Sequence, residues 1–206
     1  MIQLKNVNKN FKNRPVLENF SLQVDKGEFV AICGPSGAGK TTILNLIGLL
    51  IQPDQGEISL CGFENPTERQ IQKIRRETLG YIFQNYVLME NETVLENLEI
   101  SKKYNSDWNI EKVKEILAEI ALDESFLSKK VFELSGGEQQ RIAIARVMLK
   151  RCELILADEP TGNLDTENKR IVINLFKKLK SMGKTIVCVT HDDEMAQAAD
   201  RIFDIK

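Results

Sequence analysis

The apolar positions of the chain fall into three kinds of pattern. Near the start Phe20, Leu22 and Val24 alternate with polar residues, which predicts a strand of a sheet covered on one side. Glu57 to Cys61 predicts another strand, with Pro53, Asp54, Gly56 and Gly62 as turn residues around it. The second kind is a short continuous apolar run. It occurs at Phe29-Val30-Ala31-Ile32-Cys33, Leu154-Ile155-Leu156-Ala157 and Ile186-Val187-Cys188-Val189, and suits the buried centre of a parallel sheet. Helical patterns separate these runs, at 40–50, 138–150 and 167–180, so strand and helix alternate as in an α/β layered fold. The third kind lies between 85 and 132. There Ile110, Val113, Ile116, Leu117 and Ile120 recur at helical spacing with no strand-like run among them, which predicts a helical insertion.

Composition narrows the class. At 206 residues, with 42% hydrophobic and 28% charged, the chain is long enough for one well-packed domain. Its formal net charge of −2 argues against a dedicated nucleic-acid binder. A spanning helix needs about 20 apolar residues. The best candidate, Ile43 to Ile51, is far shorter and includes Asn45 and Gly48. Cys33, Cys61, Cys152 and Cys188 have neither metal-ligand nor dithiol spacing, and each sits in or beside an apolar run. They are expected to be buried small apolar residues.

The chemistry begins directly after the first apolar run. Gly34-Pro35-Ser36-Gly37-Ala38-Gly39-Lys40-Thr41 fits G-x-x-x-x-G-K-[ST] between a strand and a helix. The glycines let backbone N–H groups surround a phosphate, and the helix that follows directs its positive end at the anion. Lys40 supplies a point charge for β and γ phosphates, and Thr41 a hydroxyl for Mg²⁺.

A second site closes the run Leu154-Ile155-Leu156-Ala157 with two carboxylates. Asp158 at the strand's carboxyl end is placed to hold Mg²⁺. Glu159, by strand alternation, is expected to point elsewhere and serve as base for an attacking water. Between the two sites lies Leu134-Ser135-Gly136-Gly137-Glu138-Gln139-Gln140-Arg141. It predicts a Ser-Gly-Gly turn at a helix N-terminus, with amides and a hydroxyl aimed outward as a second anion site.

That octet resembles the signature motif of the nucleotide-binding subunits of ATP-binding cassette (ABC) transporters, and the resemblance extends over nearly the whole chain. It implies an α/β fold: a P-loop NTPase core with an N-terminal antiparallel β subdomain and an inserted helical subdomain. The chain would be a single ATP-binding domain over 1–206, with 1–84 and 133–206 as core and 85–132 as helical subdomain. Phe11, with Val16 nearby, matches the position of an aromatic that stacks on adenine. Thr42 extends the ATP-binding loop. Gln84, in Tyr81-Ile82-Phe83-Gln84, matches the glutamine that reaches Mg²⁺ and the attacking water. Asn163-Leu164-Asp165 matches the loop that contacts the partner subunit, which places Asp165 beside nucleotide. His191, the only histidine in the chain, matches the switch histidine at the γ-phosphate.

The resemblance further implies Mg²⁺-dependent ATP hydrolysis coupled to transport. The partners it implies are a transmembrane permease subunit in trans and a second nucleotide-binding subunit, in a head-to-tail dimer closed by ATP. Tyr86-Val87-Leu88-Met89 would then be a permease-docking run or subdomain core. Pro160 to Thr166 and the stretch from Leu49 to Gly56 resemble the subgroup of lipoprotein release, macrolide export and bacteriocin-type peptide export. The prolines usual near Met89-Glu90 and near Val131 are absent, in the region expected to meet the membrane subunit. A peripheral location on the cytoplasmic face of the membrane follows. An ABC-type ATPase without transport is the alternative, although such chains usually carry coiled-coil insertions or two fused cassettes. A GTPase would need Asn-Lys-x-Asp after the phosphate loop, and Asn168-Lys169-Arg170-Ile171 lacks the Asp. The basic stretch from Lys169 to Lys184 is expected to be a solvated helix face.

Overall fold

The computed structural model describes residues 1–12 and 14–205. Two sheets organise it. The first is antiparallel: strand β1 (Ile2–Phe11) lies between β2 (Arg14–Val24) and β4 (Gln55–Leu60), and the short β5 (Phe63–Glu64) forms the far edge. The register sets Ile2 opposite Val24 and Leu60, and Leu4 opposite Leu22 and Ile58. One face of this sheet is therefore apolar and buried. Gly56, at φ +93°, allows the close approach of β4 to β1; a Cβ there would lie 2.5 Å from the Asn6 carbonyl oxygen.

The second sheet is parallel, in the order β6 (Leu79–Ile82), β7 (Leu154–Asp158), β8 (Thr185–Val189), β3 (Phe29–Cys33) and β9 (Arg201–Asp204). Its inner strands β7, β8 and β3 are covered on both faces, which is why they read as continuous apolar runs. Val30, Ile32, Leu154, Leu156, Val187 and Val189 face helix α1 (Lys40–Ile47) and the antiparallel sheet. Phe29, Ile155, Ala157, Ile186 and Cys188 face helices α5 (Gly136–Lys150) and α6 (Thr166–Ser181). Helix α1 ends earlier than its apolar pattern predicts, because Leu49 takes a left-handed backbone (φ 56°).

The region between the two halves is helical, as its spacing predicts. Helices α3 (Val94–Glu99) and α4 (Ile110–Glu119) are joined through one 3₁₀ segment (Ile100–Tyr104) and pack on α5. Val113, Ile116, Leu117 and Ile120 enter the core, but Ile110, the first residue of α4, stays 39% exposed. The fully buried Asn97 ties the entry to this region: its amide donates to the Met89 and Thr93 carbonyls, and its oxygen accepts the Met89 N–H. Helix α2 (Glu68–Glu77) carries a single buried residue, Ile74, so periodicity had little to detect. The short α7 (Asp193–Gln197) precedes β9.

The basic face of α6 is only partly solvated: Arg170 and Lys177 are exposed, and the other cations of the helix and of the turn after it are engaged within the chain. Lys169 pairs with Asp192, Lys178 with Glu119, and Lys180 with Asp200, while Lys184 donates to the Cys152 carbonyl. The cysteines are free thiols. Cys152 and Cys188 are buried, and burial pushes the Cys152 thiol up to about 11. No helix of the described residues is long and apolar enough to cross a membrane.

Candidate functional site

Four neighbouring parallel strands deliver the candidate groups at their carboxyl ends. Strand β3 runs into residues 34–39 and then α1. Gly37 (φ 83°) and Gly39 (φ 86°) both take left-handed backbone, which turns the loop so that its amides face inward. Gly39 caps α1 without any side-chain hydrogen bond, and the first turn of α1 holds no acidic residue. Its leading N–H groups are thus left for an external anion. The Lys40 ammonium folds back over the loop and donates to the carbonyls of Gly34 (2.8 Å) and Pro35 (3.0 Å). Pro35 and Ala38 close the loop through the Ala38 N–H to the Pro35 carbonyl at 3.2 Å.

Strand β6 leads to Gln84. Just before it the rings of Tyr81 and Phe83 stack at 4.0 Å, and the Tyr81 hydroxyl lies 3.3 Å from the Asn45 side-chain oxygen on α1. Strand β7 ends in Asp158, whose carboxylate accepts the Thr41 hydroxyl at 3.4 Å. Burial pushes the Asp158 carboxyl above its ordinary range; the Thr41 hydrogen bond opposes this, the Glu159 charge adds to it, and Lys40 opposes it.

Glu159 departs from the expected strand alternation. Strand β7 has ended, and Glu159 sits in a left-handed conformation at φ 46°, its N–H bonded to the Val189 carbonyl at 2.9 Å. This turn brings its carboxylate to His191, 2.8 Å from Nδ1 and 3.2 Å from the backbone N–H. The base candidate and the γ-phosphate candidate therefore form one hydrogen-bonded unit. The ring of His191 is two-thirds exposed, whereas Glu159 is largely covered.

These elements enclose a cavity of about 420 Å³ lined by Val16, Ser36, Gly37, Gly39, Lys40, Thr41, Thr42, Gln84, Asp158, Glu159 and His191. The groups fit a phosphate-bound Mg²⁺. Among the described residues no cluster of three His, Cys, Asp or Glu stands ready to hold a metal unaided. Mg²⁺ keeps several waters, takes substrate phosphates, and asks only one or two oxygens of the protein. The Thr41 hydroxyl and the half-buried Asp158 carboxylate, with the Gln84 amide at the same cavity, are hard donors of that kind.

The remaining candidates lie away from this cavity. Phe11, at the end of β1, is 46% exposed. Ser135 caps α5, but its hydroxyl is not aimed freely outward. The Glu138 carboxylate accepts from the Ser135 N–H (2.7 Å) and hydroxyl (2.8 Å), which makes a capping box. Asp165 caps α6 and binds Asn168 through its N–H (2.8 Å) and its amide (2.7 Å). The two caps touch: a Cβ on Gly137 would lie 2.3 Å from the Asn168 side chain, and one on Gly136 would lie 3.0 Å from the Tyr86 hydroxyl. Ser135, Gly136, Gly137 and Asp165 thus share one surface, with glycine required for close approach.

The loop after Gln84 divides its apolar run. Leu88 packs against the core, Tyr86 is half-buried, and Val87 and Met89 are exposed. Phe132, exposed by 60%, joins them, because its N–H bonds the Glu90 carbonyl. Tyr86 (φ 61°) and Val87 (φ 50°) both hold left-handed backbone. Arg146 of α5 donates to their carbonyls, at 3.2 Å and 2.7 Å. Sequence reasoning passed over Arg146, yet it had a signal: it is the lone charge within the apolar run Ile142 to Leu149.

With this geometry in place, comparison with known proteins is specific. The ABC transporter family model matches residues 17–162. The lipoprotein-releasing system ATP-binding protein LolD of Bacteroides thetaiotaomicron is 41% identical over 98% of this chain and 94% of its own length. The macrolide export ATP-binding/permease protein MacB of Campylobacter jejuni is 43% identical over the whole chain, which spans 33% of that larger protein. Among solved structures, the dimeric ABC transporter cassette MJ0796, a protein of Methanocaldococcus jannaschii, is 40% identical with a TM-score of 0.90, over 100% of this chain and 94% of that one. The same cassette is known as a dimer in a post-hydrolysis state bound to ADP and Pi, again with a TM-score of 0.90. The chain belongs to the ABC transporter family, as one of its ATP-binding cassettes.

Proposed function

We propose that this chain binds ATP with Mg²⁺ and hydrolyses it to power a transporter, through the groups gathered at the carboxyl edge of its parallel sheet. The observation that carries the reading is the convergence, at one cavity, of a bare helix N-terminus, Lys40, the Thr41–Asp158 pair, Gln84 and the Glu159–His191 pair. The loop from Gly34 to Thr42 wraps the phosphates. Lys40 gives up its loop carbonyls for the β and γ phosphates. Thr41, Gln84 and Asp158 hold Mg²⁺, which supplies charge neutralisation on those phosphates when bound. Glu159 accepts a proton from the attacking water as the water oxygen bonds to the γ-phosphorus and the bond to the β-γ bridging oxygen breaks. His191, oriented by Glu159, donates to the γ-phosphate. Phe11 and Val16 carry the adenine.

The surface of Ser135, Gly136, Gly137 and Asp165 has no nucleotide from its own cavity to contact. We assign it to the ATP held by a second cassette, in a head-to-tail dimer. Val87, Met89 and Phe132 would receive a permease subunit in trans, at the cytoplasmic face of the membrane, where the cassette sits peripherally. The likeness to lipoprotein-release and macrolide-export proteins supports an exporter of lipoprotein, peptide or drug.

The purified chain should hydrolyse ATP only with Mg²⁺, and Lys40→Ala should lower turnover by about 100-fold or more. Wild-type turnover in that variant would remove the phosphate-loop assignment. His191→Ala should keep nucleotide affinity and lose turnover by a similar factor, since its contact matters most as charge moves in the transition state. Weaker binding with unchanged turnover would contradict that role.

A further inference from the structure

Phe11 stands at the far end of β1, where the strand pairing is irregular. Register shifts fall between Val7 and Lys9 and between Lys9 and Asn10 on the β2 side, and between Lys5 and Asn8 on the β4 side. A ladder so interrupted does not by itself fix the height of an exposed ring. One carboxylate restores the order. Asp54 accepts the Lys9 ammonium at 2.7 Å on one oxygen. Its other oxygen accepts the Asn10 backbone N–H at 2.7 Å and the Asn10 side-chain amide at 3.2 Å. The Asp54 N–H in turn donates to the Asn8 carbonyl at 2.9 Å. Three consecutive residues before Phe11 are thus held by a single side chain and its own amide.

The other end of this attachment is the phosphate-loop helix. The segment between α1 and Asp54 is fastened to α1 by the N–H groups of Leu50 (2.8 Å) and Ile51 (3.4 Å), both on the Asn45 carbonyl. The Arg75 guanidinium holds the same segment through the carbonyls of Gly48 and Leu49. A continuous set of contacts therefore runs from α1 through Asp54 to the residues that carry Phe11. Lys9 completes it: its ammonium, fixed by Asp54, lies 5.6 Å from the centre of the Phe11 ring.

We propose that Asp54 is a positioning residue for the nucleotide base: through Lys9 and Asn10 it sets the Phe11 ring at a fixed distance from the phosphate loop. This rests on the reading of Phe11 as the base platform. The Lys9–Asp54 pair is partly exposed, and such pairs add little to global stability. Its effect is local, removing the freedom the ring would otherwise lose on binding.

The test uses calorimetric binding of two probes: MgADP, which has a base, and Mg-tripolyphosphate, which has none. Phe11→Ala should weaken MgADP by about 5- to 150-fold, the range for losing an aromatic–base stack. Asp54→Ala should weaken MgADP by about 2- to 12-fold, as for one aromatic side chain left unordered, and raise the KM for MgATP while kcat holds. The double variant should match Phe11→Ala, and tripolyphosphate affinity should not change in any of them. Asp54→Asn, which keeps the side-chain volume, should act in the same direction. Phe11→Ala with wild-type MgADP affinity overturns the base platform, and this proposal with it. If Phe11→Ala weakens MgADP, two results overturn the proposal alone. One is wild-type affinity in Asp54→Ala. The other is an Asp54→Ala loss that multiplies with that of Phe11→Ala or appears equally with tripolyphosphate.

Discussion

Two helices of this chain begin at glycine-bearing turns, and they differ in what the chain itself sets against their N-termini. Helix α1 starts at Gly39, with no side-chain cap and no carboxylate in its first turn. Helix α5 starts at Ser135, with Glu138 folded back to close a capping box. A helix N-terminus carries roughly half a positive charge, and whatever anion sits there first takes the benefit. At α1 that place is free, and Lys40, Thr41 and Asp158 stand around it. At α5 it is partly satisfied from within, and the neighbours are Asn168 and the Tyr86 hydroxyl. On the proposed reading the first binds phosphate unaided. The second, on the same reading, takes a phosphate presented by something else, already clamped. This asymmetry is what a head-to-tail dimer with ATP between two chains requires.

The largest effect separates the two termini directly. Glu159→Gln should bind MgATP, fail to cleave it and accumulate as dimer. Adding Ser135→Arg should weaken that dimer by roughly 100-fold, since a bulky group at a close-packed boundary costs up to about 3 kcal/mol. Nucleotide affinity of the monomer should not follow, because α1 lies elsewhere. Light scattering at saturating MgATP, with nucleotide binding measured beside it, decides this. A double variant that still dimerises would refute the division of labour.

A middle-sized effect concerns the join between the two regions. Arg146 of α5 clamps the loop that leaves Gln84, by the carbonyls of Tyr86 and Val87. Arg146→Ala should lower stability in urea by about 2–3 kcal/mol: two partly covered carbonyls lose their donor, and two left-handed residues lose their restraint. Turnover per folded molecule should fall as well, with Gln84 no longer held. If Arg146→Ala unfolds at the wild-type urea midpoint, the clamp bears no load.

The same two regions show what a sequence does and does not disclose. The phosphate loop was legible because its eight residues are contiguous and its neighbours are one strand and one helix. Asp158 was legible because an apolar run must end before it meets water. The orientation of Glu159 was not, since strand alternation stops one residue earlier and β8, more than 25 residues on, supplies both the Val189 carbonyl and the path to His191. The Asp54 attachment crosses 45 residues to Lys9 and leaves no periodic trace. The box at α5 is a different case. Ser135 and Glu138 stand at the spacing of a capping box, so their engagement was readable, and the expectation of a free hydroxyl overlooked it. The signature octet, as proposed here, marks a site that a second chain completes, so a single sequence discloses it by resemblance and not by geometry.

The smallest effect tests whether the capping box restrains the second site. The Ser135 hydroxyl and N–H hold the Glu138 carboxyl below its ordinary range, overcoming the burial that alone would push it up, so the group stays ionised at neutral pH. An incoming γ-phosphate must then share the α5 N-terminus with a carboxylate of like sign. Glu138→Gln keeps an oxygen able to accept from the Ser135 N–H and removes that charge. The helix should lose a few tenths of a kcal/mol, and the ATP-bound dimer in the Glu159→Gln background should tighten by about 2- to 5-fold, the range for one charge at a helix end. The difference should shrink as salt is raised and as pH falls below the Glu138 titration, where the parent's carboxyl becomes neutral like the amide that replaces it. Dimer dissociation constants from sedimentation at two salt concentrations give the answer. A Glu138→Gln dimer weaker than its parent at low salt would show that the box serves the second site by ordering Ser135, and that its charge is no obstacle to the phosphate.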